Sequence, residues 1–168
     1  MKPKQPIQKI RYLLIFFIFA LSISGLTAIP LEWEVSLLNN IFTKNANFLT
    51  AKFPALSYWV RIVHKGLNET LENYPFIAYG TDWLAFGHFV IAIFFIGPLK
   101  DPIKNIRVIE LGLIACLLVI PWAFIFGAVR GIPLFWRLID CSFGIFGIAL
   151  LYVARKLTLN LSSEYTQG

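Results

Sequence analysis

Charged residues are scarce in this chain of 168 residues: they make up 14% of the sequence, against about 25% in an ordinary soluble domain. Apolar residues make up 58% and fall into long runs with almost no charge. Each run approaches the ~20 apolar residues that a bilayer-spanning helix needs. This composition excludes an ordinary soluble domain. It predicts an all-α integral membrane protein in which residues 1–168 form a single membrane domain.

Cysteine is also scarce. The two cysteines, Cys116 and Cys141, both lie in apolar runs and form neither a CxxC pair nor the framework of a secreted disulfide protein. We therefore expect buried free thiols rather than a disulfide.

Histidine and the common catalytic motifs are equally rare. The chain has two histidines, His64 and His88, and lacks the HExxH, Walker-type glycine-loop and GxSxG motifs. A haem held by two histidines would need both of them, and nothing in the sequence favours it. A metal site can be drawn from His88, Asp82, Asp140 and Cys141, but no ligand spacing specifies one. The sequence predicts no metal and no cofactor.

The apolar runs predict four transmembrane helices, at about 12–29, 83–99, 106–126 and 134–154. The second run is short and could begin a few residues earlier. The first run follows a basic stretch and could also be a signal peptide that is cleaved after it. Its apolar part is longer than the ~7–15 residues of a signal-peptide core, so a retained helix is the favoured interpretation.

Lys and Arg residues are concentrated on one side of these spans. Nine basic residues flank the first span, the connection between spans two and three, and the end of span four: Lys2, Lys4, Lys9, Arg11, Lys100, Lys104, Arg107, Arg155 and Lys156. Short basic loops stay cytoplasmic, so we expect a multi-pass protein of the cell membrane with both termini in the cytoplasm. No basic patch with interleaved aromatics predicts nucleic-acid binding, although the net charge is +6.

The segment 31–82, between spans one and two, is then predicted to be extracytoplasmic and amphipathic. Over Pro54–Asn73 the apolar residues recur at helical spacing, and the proline suits the first helical position. We expect this helix to bury Trp59, Val63 and Leu67 against the bundle or the outer lipid interface.

Ionisable side chains inside a span are costly, so each needs a partner or a purpose. His88, Arg137 and Asp140 lie within the predicted spans, and Asp82 and Arg130 lie at their edges. With both termini inside, all five are predicted in the outer third of the membrane. We expect Asp140 within direct or one-water reach of Arg137 or His88, because Arg137 lies one helical turn away on the same helix.

These five residues predict an outward-facing polar pocket. Arg130 and Arg137 would bind an anionic group such as a lipid phosphate or carboxylate, and Asp82, at the outer mouth of the second span, would be a further ligand-binding residue. In a catalytic version, His88 would carry a proton and Asp140 would orient it. The expected partner is therefore membrane lipid, with an anionic headgroup as the ligand.

Other features of the spans predict packing rather than chemistry. Glu110 lies near the inner end of the third span, one turn after Arg107, and predicts an interfacial ion pair. Gly144 and Gly147 share a helix face with Asp140, and small residues let a neighbouring helix approach closely. Asp140 is therefore expected to point into the bundle.

Two further functions stay open at this point. In one, the protein is a structural or accessory subunit whose polar cluster only fixes helix packing, while the extracytoplasmic segment docks a membrane-protein partner. In the other, it is a small transporter that oligomerises, since four spans are few and no broken-helix repeat is visible.

Two stretches, YGTDWLAFGHF at the second span and WRLIDCSFGIFG in the fourth, resemble the VanZ-like family of small membrane proteins. In this resemblance Asp82 and His88 match an Asp and a His at the start of a span. Arg137, Asp140 and Gly147 match an Arg-x-x-Asp followed by glycines in the last span. The family is linked to glycopeptide resistance and the cell envelope, so the resemblance implies an envelope function.

Overall fold

The computed structural model describes residues 4–43 and 47–166, which are helical almost throughout and contain no strand. In this part of the chain the α-helices are, in order, α1 (Lys4–Thr27), α2 (Leu31–Thr43), α3 (Asn47–Lys52), α4 (Pro54–Asn73), α5 (Tyr79–Phe94), α6 (Ile96–Lys100), α7 (Ile106–Val129) and α8 (Leu134–Thr166). A short 3₁₀ helix, Pro75–Ala78, connects α4 to α5.

Four stretches of the described chain are long and apolar enough to cross a membrane: Gln5–Thr27, Pro75–Lys100, Ile106–Val129 and Leu134–Glu164. They correspond to the four predicted spans, so the chain is a multi-pass membrane protein. Large apolar side chains along them are exposed, for example Phe19 at 61% and Phe146 at 69%. A continuous apolar surface of this kind is what lipid would cover.

The helices differ from the predicted spans mainly at their ends. The first begins at Lys4 rather than near residue 12, and α8 continues to Thr166 rather than ending near residue 154. The second span is interrupted at Phe95, between α5 and α6. Pro98 explains the interruption, because it lacks an N–H and its ring clashes with the carbonyl four residues earlier, that of Phe94.

The chain divides into two compact units. One, which we call the bundle unit, consists of the described residues up to 21 together with those from 90 onward. The other, which we call the segment unit, is Ser22–Phe89. The boundary falls inside α1 and inside α5, and each unit is described by itself.

The bundle unit has a continuous apolar core. Its fully buried residues come from α1, α7, α8 and the break before α6: Ile10, Leu14, Phe95, Ile109, Leu151, Ala154 and Leu161. Phe17 packs on Phe95 with a ring-centroid distance of 4.7 Å. Both cysteines are free: Cys141 is buried and Cys116 is half-buried.

Glycines let α7 and α8 pack closely in this unit. A Cβ on Gly144 would lie 2.7 Å from the carbonyl oxygen of Cys116, and a Cβ on Gly147 would lie 2.5 Å from its Sγ. Both distances are shorter than any ordinary contact, so only glycine fits. The prediction that these two glycines permit close helix approach is confirmed.

The segment unit is organised around the amphipathic helix α4. This helix begins at Pro54 and ends at Asn73, as the periodicity predicts, and it packs against α2. Its buried residues are Ser57 and Val60. The predicted Trp59, Val63 and Leu67 are half-buried on the same side, whereas Arg61, Lys65 and Glu69 are exposed.

Candidate functional site

The turn between α7 and α8 presents Arg130. After α7 the chain closes with Gly131 at φ +69°, a left-handed conformation that favours glycine. The Gly131 N–H donates to the carbonyl of Ala128 and the Ile132 N–H to that of Gly127, the two hydrogen bonds of a Schellman motif. Arg130 therefore occupies the C-cap of α7, and its side chain is exposed.

Arg137 lies one turn into α8, and its side chain extends along α7. A Cβ on Gly127 would lie 2.4 Å from Arg137 Cδ, so the absent side chain leaves room for the arginine stem. Nη1 donates to the carbonyl oxygen of Phe124 at 3.4 Å. Nε is buried and has no hydrogen-bond partner among the described residues.

Asp140 is half-buried, one turn after Arg137 on α8. No ion pair joins the two side chains, although both lie in the described part of the chain and the spacing allows one. The direction of the arginine stem explains this difference from expectation, because the stem follows α7 at Gly127 instead of α8. Asp140 forms no hydrogen bond or ion pair with any residue that the structure describes.

His88 belongs to the segment unit and lies on α5. Its Nδ1 is 2.7 Å from the carbonyl oxygen of Leu84, one turn earlier, so Nδ1 carries the proton and donates. Nε2 makes no hydrogen bond to a described residue and is left for another partner. His88 is half-buried, and a Cβ on Gly25 would lie 2.8 Å from its Cβ.

Asp82 is exposed in the first turn of α5. It borders a shallow cavity of about 250 Å³ together with Tyr79, Trp83 and Phe86. Trp83 meets each of the other two rings edge-on, at centroid distances of 6.0 and 5.4 Å. A carboxylate here also suits the helix dipole. The second span was predicted to begin at about residue 83 or a few residues earlier, and α5 begins at Tyr79. Thr81 Oγ1 donates to the carbonyl of Ala78.

The five predicted site residues fall into both units. Arg130, Arg137 and Asp140 lie near the α7–α8 turn of the bundle unit, and Asp82 and His88 lie on α5 in the segment unit. The prediction that they form one pocket stays a prediction.

The best-connected polar group lies at the other end of the bundle unit. Oε2 of Glu110 accepts from Nη1 of Arg107 at 2.9 Å, which confirms the predicted pair. Its Oε1 accepts from Nε of Arg155 on α8, also at 2.9 Å. Nearby, Arg11 of α1 donates to the carbonyls of Leu99 and Lys100 at the end of α6.

The contact of Arg155 with Glu110 was not predicted from the sequence. A signal for it exists, because α7 and α8 form a helical hairpin. Glu110 lies 20 residues before Arg130, and Arg155 lies 22 residues after Pro133. Residues at similar distances from a tight turn come to similar depths in the two helices, so the two side chains can meet.

Among the described residues, no three His, Cys, Asp or Glu side chains are grouped so that they could hold a metal ion. Comparison of the chain with protein-family models, with curated proteins and with solved structures finds no match.

Proposed function

We propose that this multi-pass membrane protein binds the anionic headgroup of a membrane lipid at the α7–α8 turn, through Arg130 and Arg137. The observation that carries the proposal is that Arg137 lies within a membrane-spanning helix without a carboxylate partner among the described residues. An intramembrane charge is costly unless it is paired or serves a purpose. Among the described residues its guanidinium donates one hydrogen bond, from Nη1 to the carbonyl of Phe124, so further N–H donors of the guanidinium are left for a phosphate oxygen.

The opposite end of the bundle unit supports this interpretation by contrast. There Arg107 and Arg155 share the carboxylate of Glu110, and Lys104 lies 3.8 Å from Asp101. Two of the arginines at that end therefore have a carboxylate partner within the protein. Those at the α7–α8 turn have no such partner in the described chain and are available to a ligand.

The ligand class follows from the chemistry of arginine. A guanidinium presents a planar fork of N–H donors that matches phosphate and carboxylate oxygens. The distribution of basic residues favours an α7–α8 turn on the outer side of the membrane, where an anionic lipid of the outer leaflet would meet it. The resemblance to the VanZ-like family points the same way, toward the cell envelope.

The test is lipid retention by the purified full-length protein, reconstituted with phosphatidylcholine alone or mixed with phosphatidylglycerol and analysed by native mass spectrometry. Arg130→Gln and Arg137→Gln should each weaken phosphatidylglycerol binding about ten- to a hundredfold, since one charge-assisted hydrogen bond contributes ~1.5–3 kcal/mol. Arg107→Gln is the matched control, because the Arg107 side chain is 87% exposed and its guanidinium is already paired with Glu110. Equal retention by all three variants would refute the proposal.

A packing role gives a different result. If Arg137 only fixes the helices, Arg137→Gln should lower thermal stability while Arg130→Gln, on an exposed C-cap, leaves both stability and lipid retention unchanged. A catalytic role for His88 and one for Asp140 are tested separately, by His88→Gln and by Asp140→Asn, in a growth assay under envelope stress. Full activity of both variants would leave lipid binding as the whole function.

A further inference from the structure

A second cavity, of about 300 Å³, lies wholly within the segment unit. Ile29 and Pro30, in the turn after α1, and the first residues of α2 form one side of it. The last turns of α4, the 3₁₀ helix and the first turn of α5 form the rest. Its volume is at the lower end of the range of ~300–1,000 Å³ that is typical of small-molecule sites.

The lining is mostly apolar. Eight of the eleven lining residues are apolar, among them Ile29, Leu67, Leu71 and Ile77. Of the described residues that line the cavity, Glu32 is the only one with a charged side chain. It is exposed and forms no ion pair with a described residue. The cavity therefore suits a hydrocarbon group that carries a positive charge at one end.

The two walls of the cavity belong to helices of different polarity, and this difference indicates where the cavity lies relative to a membrane. One wall, formed by Ile77, Ala78 and Thr81, comes from the start of the stretch Pro75–Lys100, which is apolar enough to cross a membrane. The other comes from α4, whose opposite face is charged through Arg61, Lys65 and Glu69. A cavity between these two walls suits a boundary between hydrocarbon and water, where a lipid chain is within reach.

We propose that this cavity holds one hydrocarbon chain of a membrane lipid whose headgroup carries an ammonium, with the carboxylate of Glu32 facing that ammonium. A protein helix, about 10 Å across, is too wide for the volume. A free fatty acid would bring its carboxylate toward Glu32 with no lysine or arginine in the lining to offset the repulsion. An ammonium headgroup removes that conflict and gives Glu32 a partner.

This site is distinct from the one proposed for anionic lipid. It belongs to the segment unit, and none of its lining residues is an arginine. Arg130→Gln and Arg137→Gln should therefore leave it unchanged, so the two proposals fail independently.

The test uses full-length protein in phosphatidylcholine vesicles that contain phosphatidylethanolamine with a photoactivatable diazirine in one acyl chain. After irradiation, peptide mapping should find the label concentrated on Leu67, Leu71 and Ile77. Thr70→Trp, which places an indole in the cavity, should reduce labelling there to background. Glu69→Trp, on the neighbouring exposed position of α4, is the matched control and should label as wild type.

The role of Glu32 is tested with a second probe, phosphatidylglycerol carrying the same diazirine chain. Wild-type protein should favour the ethanolamine probe at the cavity, and Glu32→Gln should remove that preference. Equal labelling of wild type by both probes would overturn the assignment of the ammonium. Label spread evenly over lipid-exposed positions such as Phe146, and insensitive to Thr70→Trp, would overturn the cavity site itself. The peptide map of wild-type protein alone shows whether the label is concentrated at the cavity or spread evenly. The test of the cavity site therefore does not depend on whether Thr70→Trp folds.

Discussion

The contact between α7 and α8 at Gly144 gives a quantitative prediction. In Gly144→Ala the new Cβ would lie 2.7 Å from the carbonyl oxygen of Cys116, whereas such contacts usually measure ~3.3–3.6 Å. The helices must therefore separate by about 0.6–0.9 Å, because a backbone oxygen cannot rotate away. Overpacking of this kind costs about 1–3 kcal/mol.

A matched control isolates this cost. Gly87 on α5 has no heavy atom within 4 Å of the position that its Cβ would occupy, so Gly87→Ala adds only helix propensity. Both variants gain that propensity, and the difference in their free energies of unfolding should be about 1–3 kcal/mol. Denaturant unfolding in detergent, followed by far-ultraviolet circular dichroism, measures it. Equal unfolding midpoints would refute the close packing of α7 on α8.

A double-mutant cycle refines the same prediction. At Gly147 the obstructing atom is the Sγ of Cys116, a side-chain atom that can be removed. Cys116→Ala should therefore rescue Gly147→Ala, with a coupling free energy on the order of 1–3 kcal/mol. It should not rescue Gly144→Ala, where the obstruction is backbone. Rescue of both variants, or of neither, would mean that the helices pack through other contacts.

Three further predictions concern the termini, α4 and the ion pairs. Reporter fusions should place the C-terminus in the cytoplasm and α4 outside, and a C-terminal fusion active only outside would overturn the orientation. Cysteine labelling along α4 should be fast at Arg61 and Lys65 and slow at Ser57 and Val60, because only the latter two are buried. Uniform labelling would contradict its packing on α2. Glu110→Gln should lower the unfolding temperature, since it removes the negative charge and one of the two acceptor oxygens that pair with Arg107 and Arg155. An unchanged temperature would mean that this network contributes no stability.

The spans and α4 could be predicted because their signals are local. A long apolar run has one plausible structure in a bilayer, since only helices satisfy their own backbone polar groups there. The helix over Pro54–Asn73 combines apolar periodicity with a proline suited to its first position and a second proline, Pro75, just beyond its end. Each of these features lies within the helix or next to it, so no knowledge of the tertiary fold was needed.

The continuation of α8 past residue 154 could not be predicted from hydropathy. Arg155 and Lys156 mark the end of an apolar run, but a charge does not end a helix. Leu157 and Leu161 pack on the bundle core beyond that point. Thr158 is fully buried, with its hydroxyl donating to the carbonyl of Ala154. These contacts depend on the neighbouring helices and leave little trace in hydropathy.

The direction of the Arg137 side chain could likewise not be predicted from the sequence. An i to i+3 spacing permits an ion pair with Asp140, but a flexible arginine can follow either helix of the hairpin. Gly127, on the facing helix, offers the stem a groove that no sequence-local rule would reveal. The choice depends on which residue of α7 lies opposite, and therefore on the register of α7 against α8.

This geometry leads to a prediction for Asp140 that differs from the one its spacing suggests. If Arg137 and Asp140 were a buried ion pair, Asp140→Asn would leave the arginine unpaired and would cost about 3–5 kcal/mol. Since no such pair exists among the described residues, Asp140→Asn removes a carboxylate without breaking a contact, and the free energy of unfolding should stay near that of wild type. Denaturant unfolding of wild type and variant under the same conditions checks this. A loss of the size expected for a broken buried pair would show that Arg137 relies on Asp140 in the membrane, and the case for Arg137 as a free lipid ligand would fail with it.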